Sequence, residues 1–299
     1  MTQSQAEPAG PAALRSMIFT PGNRPDLITK SAAYGADAVI VDLEDAVPAA
    51  AKEQARGNLR NLPPSEVPTY VRVNGTATAH LWDDVAAAGL CEIAGIVLPK
   101  ADDPHLLAQL DGALTVLERQ AGRRPGSTEL VPLIESAAGV LRARDMVEST
   151  RRVRTVLFGS GEQGDLVTDL GCEWTPDGTA LLAARSLVVL AARASGAQPM
   201  DAVFMDFRNL DALRVECQLA RRTGCVGKAA IHPAQLPIIH EVFTPTPDEV
   251  AEQRRIIELF GQAVASGSAS ISVDGRMVDY AVAARARSIL ARAKAVRGQ

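Results

Sequence analysis

Four cysteines are all that the 299 residues contain, and no two form a C-x-x-C pair. That count and spacing exclude a zinc framework and a disulfide scaffold. Cys91, Cys217 and Cys225 lie in or beside apolar stretches, as reduced packing residues do, and Cys172 follows Gly171 in a loop-like segment. Aromatic residues make up 4% of the chain and are not interleaved with lysine or arginine. With a net charge of −4 and no basic block, the composition argues against a nucleic-acid partner. No apolar run approaches membrane-spanning length. The first dozen residues, MTQSQAEPAGPA, lack the apolar centre of a secretion signal. These absences lead to the expectation of a cytoplasmic protein with a disordered tail over residues 1–14.

What the chain does have is eight short apolar runs: SMIFTPG, AVIVDLED, TYVRVN, GIVLPK, ELVPLIES, TVLFGS, AVFMDF and GKAAIHP. Each ends in polar residues. In order these are Arg24, Glu44 with Asp45, Arg72 with Asn74, Lys100, Glu135, Asp165, Asp206 and His232. The runs are mostly continuous rather than alternating, as parallel strands covered on both faces require. Helical patterns separate them over 26–34, 49–62, 105–120, 139–149, 177–194 and 210–222, several opening after Pro or Asp and closing near Gly. The alternation predicts a (β/α)8 TIM barrel over residues 15–243, whose strand ends converge on one mouth. Residues 244–299 remain as a C-terminal helical extension: a long helix over 246–265, a turn at Asp274-Gly275 and a final amphipathic helix.

Convergence at one mouth gives the scattered polar residues a shared chemistry. Glu135 and Asp165, at adjacent strand ends, form a carboxylate pair suited to a hard divalent cation that keeps several waters, Mg²⁺ or Mn²⁺. The plainer alternatives are a polar strand terminus for Glu135 and a helix cap for Asp165. Arg72, with Asn74 beside it, offers a donor fork to a carboxylate or a developing enolate, or else a salt bridge to Glu44 or Asp45. Glu44 and Asp45 are expected to hold metal-bound waters and Arg72. Arg24 and Lys30 flank a helix start where phosphate groups would be stabilised; solvated surface charge is the alternative. Lys100 is either a Schiff-base nucleophile or, preferably, a partner of Glu44 or Asp45. His232 binds substrate or locks barrel closure. The turn Gly159-Ser160-Gly161 with Gly164 matches neither a P-loop nor a dinucleotide fingerprint.

Together, RSMIFTPGNRPDLITKSAAYGADAVIVDLEDAV, YVRVN, GIVLPKA, PLIESAAGV, DLVTDLG and GKAAIHPAQLPIIHEVFTPTPDEV closely resemble the HpcH/HpaI aldolase/citrate lyase family. Within it they are similar to the citrate lyase beta-subunit-like branch and its CoA-ester lyase relatives. The resemblance implies Mg²⁺ on Glu135 and Asp165, keto-acid contact and enolate stabilisation by Arg72, and CoA phosphates near Arg24 and Lys30. It also implies a trimer or hexamer in which Asp279, from the segment DGRMVD, reaches a neighbouring subunit's site and moves a proton. Two departures stand out. The chain reads FGSGEQGDL where relatives read FGxEDL, so Glu162 competes with Asp165 as second ligand; and Tyr-Ala follows Asp279 where relatives have Pro. The resemblance implies a Mg²⁺-dependent carbon–carbon lyase acting on a 3-hydroxyacyl-CoA such as malyl-CoA or citramalyl-CoA. A malyl-CoA-type thioesterase, a CoA-independent 2-oxo-acid aldolase and a non-catalytic subunit of a lyase complex are the alternatives.

Overall fold

A computed structural model describes residues 14–297 with the exception of Pro63 and Pro176. The tail expected over 1–14 lies outside the described residues except for Leu14, which is buried in the barrel interior. Contacts divide the chain into two units, Leu14–Phe243 and a segment beginning at Thr244.

The first unit is a closed barrel of eight parallel strands: β1 (Ser16–Pro21), β2 (Ala38–Asp42), β3 (Thr69–Arg72), β4 (Gly95–Leu98), β5 (Glu129–Ile134), β6 (Thr155–Phe158), β7 (Gln198–Asp201) and β8 (Gly227–Ala230). Closure comes from β8 pairing with β1 at Ser16↔Lys228. Alternation sorts the strand side chains into two cores. Met17, Ile40, Val97, Val131, Leu157, Met200 and Ala229 fill the interior. Ile18, Val41, Ile96, Ile134 and Phe158 face outward into the shell of helices. That shell comprises α1 (Pro25–Ser31), α2 (Lys52–Asn58), α3 (Leu81–Gly89), α4 (Pro104–Gln120), α5 (Ala137–Leu141), α6 (Ala143–Glu148), α7 (Asp165–Leu170), α8 (Leu182–Ala194), α9 (Leu210–Thr223) and α10 (Leu236–Phe243).

One strand differs from the sequence reading. The seventh is Gln198–Asp201, not the apolar run AVFMDF that follows it. The strand is disguised by its own composition, QPMD, with a proline that cannot donate to the ladder. Ala202 makes the last bond, donating its N–H to the Phe158 carbonyl (2.8 Å), and the apolar run is the loop beyond. Asp206 is therefore a loop residue; its carboxylate accepts the Arg208 N–H at 3.2 Å. The strand's true acidic end, Asp201, faces outward and is fully buried with Lys228 (2.6 Å) and Arg185 (3.2 Å).

The second unit packs α11 (Pro247–Ala265) and α12 (Tyr280–Arg297) with a hairpin of β9 (Ile271–Val273) and β10 (Arg276–Val278). Positive φ at both Asp274 (48°) and Gly275 (77°) makes the Asp-Gly pair a tight hairpin turn of the hand that matches strand twist. Phe260, Val278 and Ala283 form its core, with Tyr280 edge-on to Phe260 at 5.1 Å. Thr246 and Glu249 cap the start of α11 reciprocally. Among the described residues no helix is long and apolar enough to cross a membrane.

A buried ion cluster ties α4 to the segments entering β5 and β6. Arg152 donates to both oxygens of Glu118 (2.7 and 2.9 Å), which also accept the N–H groups of Thr128 (2.7 Å) and Gly126 (2.7 Å). Against burial, which raises it, Arg152 and these N–H groups hold the Glu118 carboxyl at about 2. A depressed carboxylate stabilises the fold above its unfolded value near 4.5, and that contribution disappears as pH falls toward 2. Glu118→Gln is expected to lower unfolding free energy at pH 7 by about 3 kcal/mol, because Arg152 is left buried and under-paired. It should also flatten the loss of stability below pH 4.5, read by urea denaturation across pH.

Candidate active site

The strand ends bring Arg72, Glu44, Asp45, Lys100, Glu135 and Asp165 to one mouth. Arg72 is the last residue of β3, in register with Asp42 at the end of β2. This pairing builds a two-bond fork: Nε donates to Asp42 Oδ1 at 2.7 Å and Nη2 to Oδ2 at 2.6 Å. Asp42 also accepts the N–H groups of Glu44 (2.9 Å) and Ala46 (3.0 Å), which fixes its plane. The guanidinium lies over the Phe19 ring, 4.9 Å from its centre. Burial opposes the Arg72 charge, but Asp42, Glu44 and Asp45 more than offset it and raise its pKa.

The expected bridge to Glu44 or Asp45 is secondary. Nη1 stands 3.0 Å from Glu44 Oε2 and 3.6 Å from Asp45 Oδ2. Glu44 and Asp45 lie beyond the strand, whereas Asp42 is still in the sheet beside Arg72. Asp42 is the residue that sequence reasoning missed, although VDLED carried the signal in an acid at the strand's last position. Burial pushes the Glu44 carboxyl up to about 8 despite Arg72, reinforced by Asp45, Glu135 and Asp42.

Glu135 follows β5, and its Oε1 accepts the Lys100 backbone N–H at 2.8 Å. Lys100 adopts φ = 48°, a left-handed conformation that disfavours side chains with a Cβ. Strain of that kind is kept where a particular orientation is needed. Here one residue gives its N–H to Glu135 and its Nζ to Asp165 Oδ2, at 3.3 Å. Asp165 thus replaces Glu44 and Asp45 as the partner expected for Lys100; against burial, it raises the Lys100 pKa. Burial pushes the Glu135 carboxyl up to about 7, opposed by the Lys100 N–H and Arg72 and reinforced by Asp165. Gly159, at the end of β6, fits against Glu135 only because it has no side chain: a Cβ there would stand 2.6 Å from Glu135 Cβ.

The turn Ser160–Gly164 leads to Asp165, which is the first residue of α7 and not its cap; Gly164 occupies the cap position. The neighbouring carboxylate that raises Glu135 is Asp165, while Glu162 is exposed in the turn. Among the described residues no three His, Cys, Asp or Glu side chains converge as a metal cage. The mouth instead offers Glu135 and Asp165 as two neighbouring carboxylates.

The remaining candidates are placed differently. Asn74 is buried; its amide donates to Leu43 O (2.9 Å) and to Asp84, while its oxygen accepts Lys52 Nζ (2.7 Å). These bonds hold the β2 and β3 ends together and leave the side chain committed within the protein. Arg24 is exposed and forked onto Asp26 at 2.8 and 2.9 Å, with Lys30 exposed on the same helix. His232 stacks on Phe207 (4.7 Å between centres) and caps the turn after β8, accepting the Ala234 N–H. Asp279 belongs to the second unit, where its Oδ1 accepts the N–H groups of Ala281 and Val282 at 3.0 Å each. A cleft of about 1430 Å³ opens at the barrel's other end, between α2, α3 and the segment entering β3, and includes none of these residues.

Residues 15–233 match the HpcH/HpaI aldolase/citrate lyase family. The chain belongs to that family. Residues 184–296 match a family described as a carbon–carbon bond lyase of the TIM-barrel fold. Among relatives, the citrate lyase subunit beta of Leuconostoc mesenteroides subsp. cremoris is 33% identical, over 94% of this chain and 93% of that one. The L-malyl-CoA/beta-methylmalyl-CoA lyase of Cereibacter sphaeroides is 33% identical over 97% and 98%. Among solved structures, CitE of Mycobacterium tuberculosis in complex with magnesium, acetoacetate and coenzyme A superimposes with a TM-score of 0.77. It is 30% identical, and the match covers 95% of this chain and 99% of that one. The (3S)-malyl-CoA thioesterase of Cereibacter sphaeroides is 35% identical over 94% of this chain and 95% of that one, so the relatives include lyases and a thioesterase acting on CoA esters.

If the Arg72–Asp42 fork carries the geometry of the mouth, Arg72→Leu leaves Asp42 buried without its partner. Unfolding free energy should fall by roughly 3 kcal/mol. Arg24→Ala, which removes only an exposed pair, should leave the urea midpoint unchanged.

Proposed function

We propose that this lyase cleaves a 3-hydroxyacyl-CoA of the malyl-CoA or citramalyl-CoA type, giving acetyl-CoA and a 2-oxo acid with Mg²⁺ as cofactor. The observation that carries the reading is the Glu135–Asp165 pair. Glu135 is desolvated, anchored by a backbone N–H and faced by a second carboxylate on the first residue of α7, the helix that follows the next strand. Paired hard oxygen donors with one desolvated member fit Mg²⁺, which also accepts Mn²⁺ in its place. When bound, the ion supplies Lewis-acid polarisation of the substrate's acid end.

The chain's own residues account for the rest. Arg72 is preorganised by Asp42, so its Nη1 edge is presented to the oxo-acid carboxylate or to the oxyanion of the enolate. Such preorganised donors contribute most where charge develops. Burial pushes the Glu44 carboxyl up against the pull of Arg72, which weakens its competition with substrate for the Nη1 edge. In the cleavage direction the substrate hydroxyl gives up its proton to a base and becomes the carbonyl of the 2-oxo acid. As it does so the carbon–carbon bond breaks, that bond's electrons enter the thioester enolate, and the enolate carbon then takes a proton to give the acetyl group. Asp279 of a neighbouring subunit is the proposed proton carrier, in a cytoplasmic trimer or hexamer. Arg24 and Lys30 are proposed to meet the CoA phosphates, with Arg24 released from Asp26 to do so.

Purified protein is tested with malyl-CoA and citramalyl-CoA, with Mg²⁺ and with EDTA. Acetyl-CoA and a 2-oxo acid should form in Mg²⁺ and not in EDTA, and Glu135→Gln should lower kcat by at least about 100-fold. Gly159→Ala should reduce turnover through displacement of Glu135. Free CoA with intact malate or citramalate would replace the lyase reading with a thioesterase, and silence on both esters would overturn CoA-ester chemistry.

A further inference from the structure

The helix that begins with Asp165 carries a second acid one turn later, and that acid is not placed for the helix's own benefit. Asp169 stands in the last turn of α7, where the carbonyl end of the helix dipole disfavours a negative charge. Gly171 (φ 61°) closes α7 immediately beyond it. Asp169 Oδ2 instead accepts the backbone N–H of Ala137 at 2.6 Å. Ala137 is the first residue of α5 and lies two residues after Glu135. Its N–H is one of the first-turn donors that have no partner within a helix. Ser136 caps the same turn by accepting the Gly139 N–H at 3.0 Å, so its side chain is already engaged.

Residues four apart on a helix share a face. Asp165 and Asp169 therefore look the same way from α7, toward the strand-four and strand-five ends. Asp165 meets Lys100 Nζ, and Asp169 meets the Ala137 N–H. The Lys100 backbone N–H in turn holds Glu135. The two mouth carboxylates thus sit on separate elements joined by two links, one through Lys100 and one through Asp169. The second acts on backbone, at the turn that leaves Glu135. It also spans the turn Ser160–Gly164 and acts together with Leu166, which is fully buried in the core at the start of α7.

We infer that Asp169 is a positioning residue: its hydrogen bond to the Ala137 N–H sets the separation of Glu135 and Asp165 and thereby their joint affinity for a divalent cation. The inference rests on the Mg²⁺ reading above. Asp169 is exposed and touches the turn rather than the ion. Its removal should consequently leave the fold intact while loosening the pair. Outer partners of this sort typically change metal affinity 10- to 100-fold.

Mn²⁺ binding to full-length protein is measured by electron paramagnetic resonance for wild type, Asp169→Ala and Asp169→Asn. Hydrogen–deuterium exchange over residues 134–141 is followed in parallel without metal. Asp169→Ala is expected to weaken Mn²⁺ about tenfold, to accelerate exchange at Ala137, and to leave the melting temperature unchanged. Asp169→Asn keeps an acceptor oxygen and should restore both affinity and protection to near wild-type levels. Unchanged affinity in Asp169→Ala would overturn the inference while leaving the metal reading intact. An equal loss in Asp169→Asn would overturn it too, since charge and not the hydrogen bond would then be responsible. If wild type itself binds no Mn²⁺, the metal reading falls and this inference falls with it.

Discussion

Five carboxylates meet two cations at the mouth of this barrel, and that imbalance governs the site. Asp42, Glu44, Asp45, Glu135 and Asp165 surround Arg72 and Lys100, and Asp42 alone takes two of the three guanidinium nitrogens. A charge excess in a partly dry cavity is relieved in two ways, by protons on the most buried groups or by an added cation. The first has its counterpart in this mouth, and the second is the proposal made for it. Glu44 and Glu135 are pushed to about 8 and 7, and the second of these stands beside Asp165 at the start of α7. The fold does not reduce the excess; it concentrates it.

The rigidity needed to hold that arrangement comes from elements the substrate need not touch. Asn74, Asp84 and Lys52 lock the β2 and β3 ends behind Arg72. Lys100 stays in a left-handed conformation so that its backbone and side chain serve different carboxylates. Buried pairs farther out, Glu118 with Arg152 and Asp201 with Lys228 and Arg185, fasten helices to the barrel without adding charge to the mouth. Such networks fix geometry more than they add stability, because desolvation offsets much of their attraction.

Seven of the eight strands were legible in the sequence because parallel strands buried on both faces are continuous apolar runs. The seventh was not, since Pro199 and Gln198 interrupt its pattern and the more apolar loop beyond it looks more like a strand. Glu135 and Arg72 were legible as strand ends, and Asp165, read the same way, opens the helix after β6. Their partners were not: Asp42 serves Arg72 through cross-strand register, and Lys100 serves Glu135 through a backbone N–H whose direction depends on one unusual φ. Neither register nor backbone conformation is written in residue type. Asn74 shows what residue type leaves unsaid: its side chain is engaged within the protein, holding the β2 and β3 ends together. Asp279 was legible as part of a segment, but the structure gives it a helix-capping contact in the second unit.

The account stands or falls on whether the excess of carboxylates is built for a cation. The most direct measurement is the binding of Mn²⁺ to wild type and Glu135→Gln at neutral pH, read by electron paramagnetic resonance and calibrated for stoichiometry. One tightly held ion per chain in wild type, lost in Glu135→Gln while the circular dichroism spectrum is unchanged, is the predicted result. Equal binding by the two proteins, or none by wild type, would contradict it and leave Glu135 as a buried acid without a cation to hold.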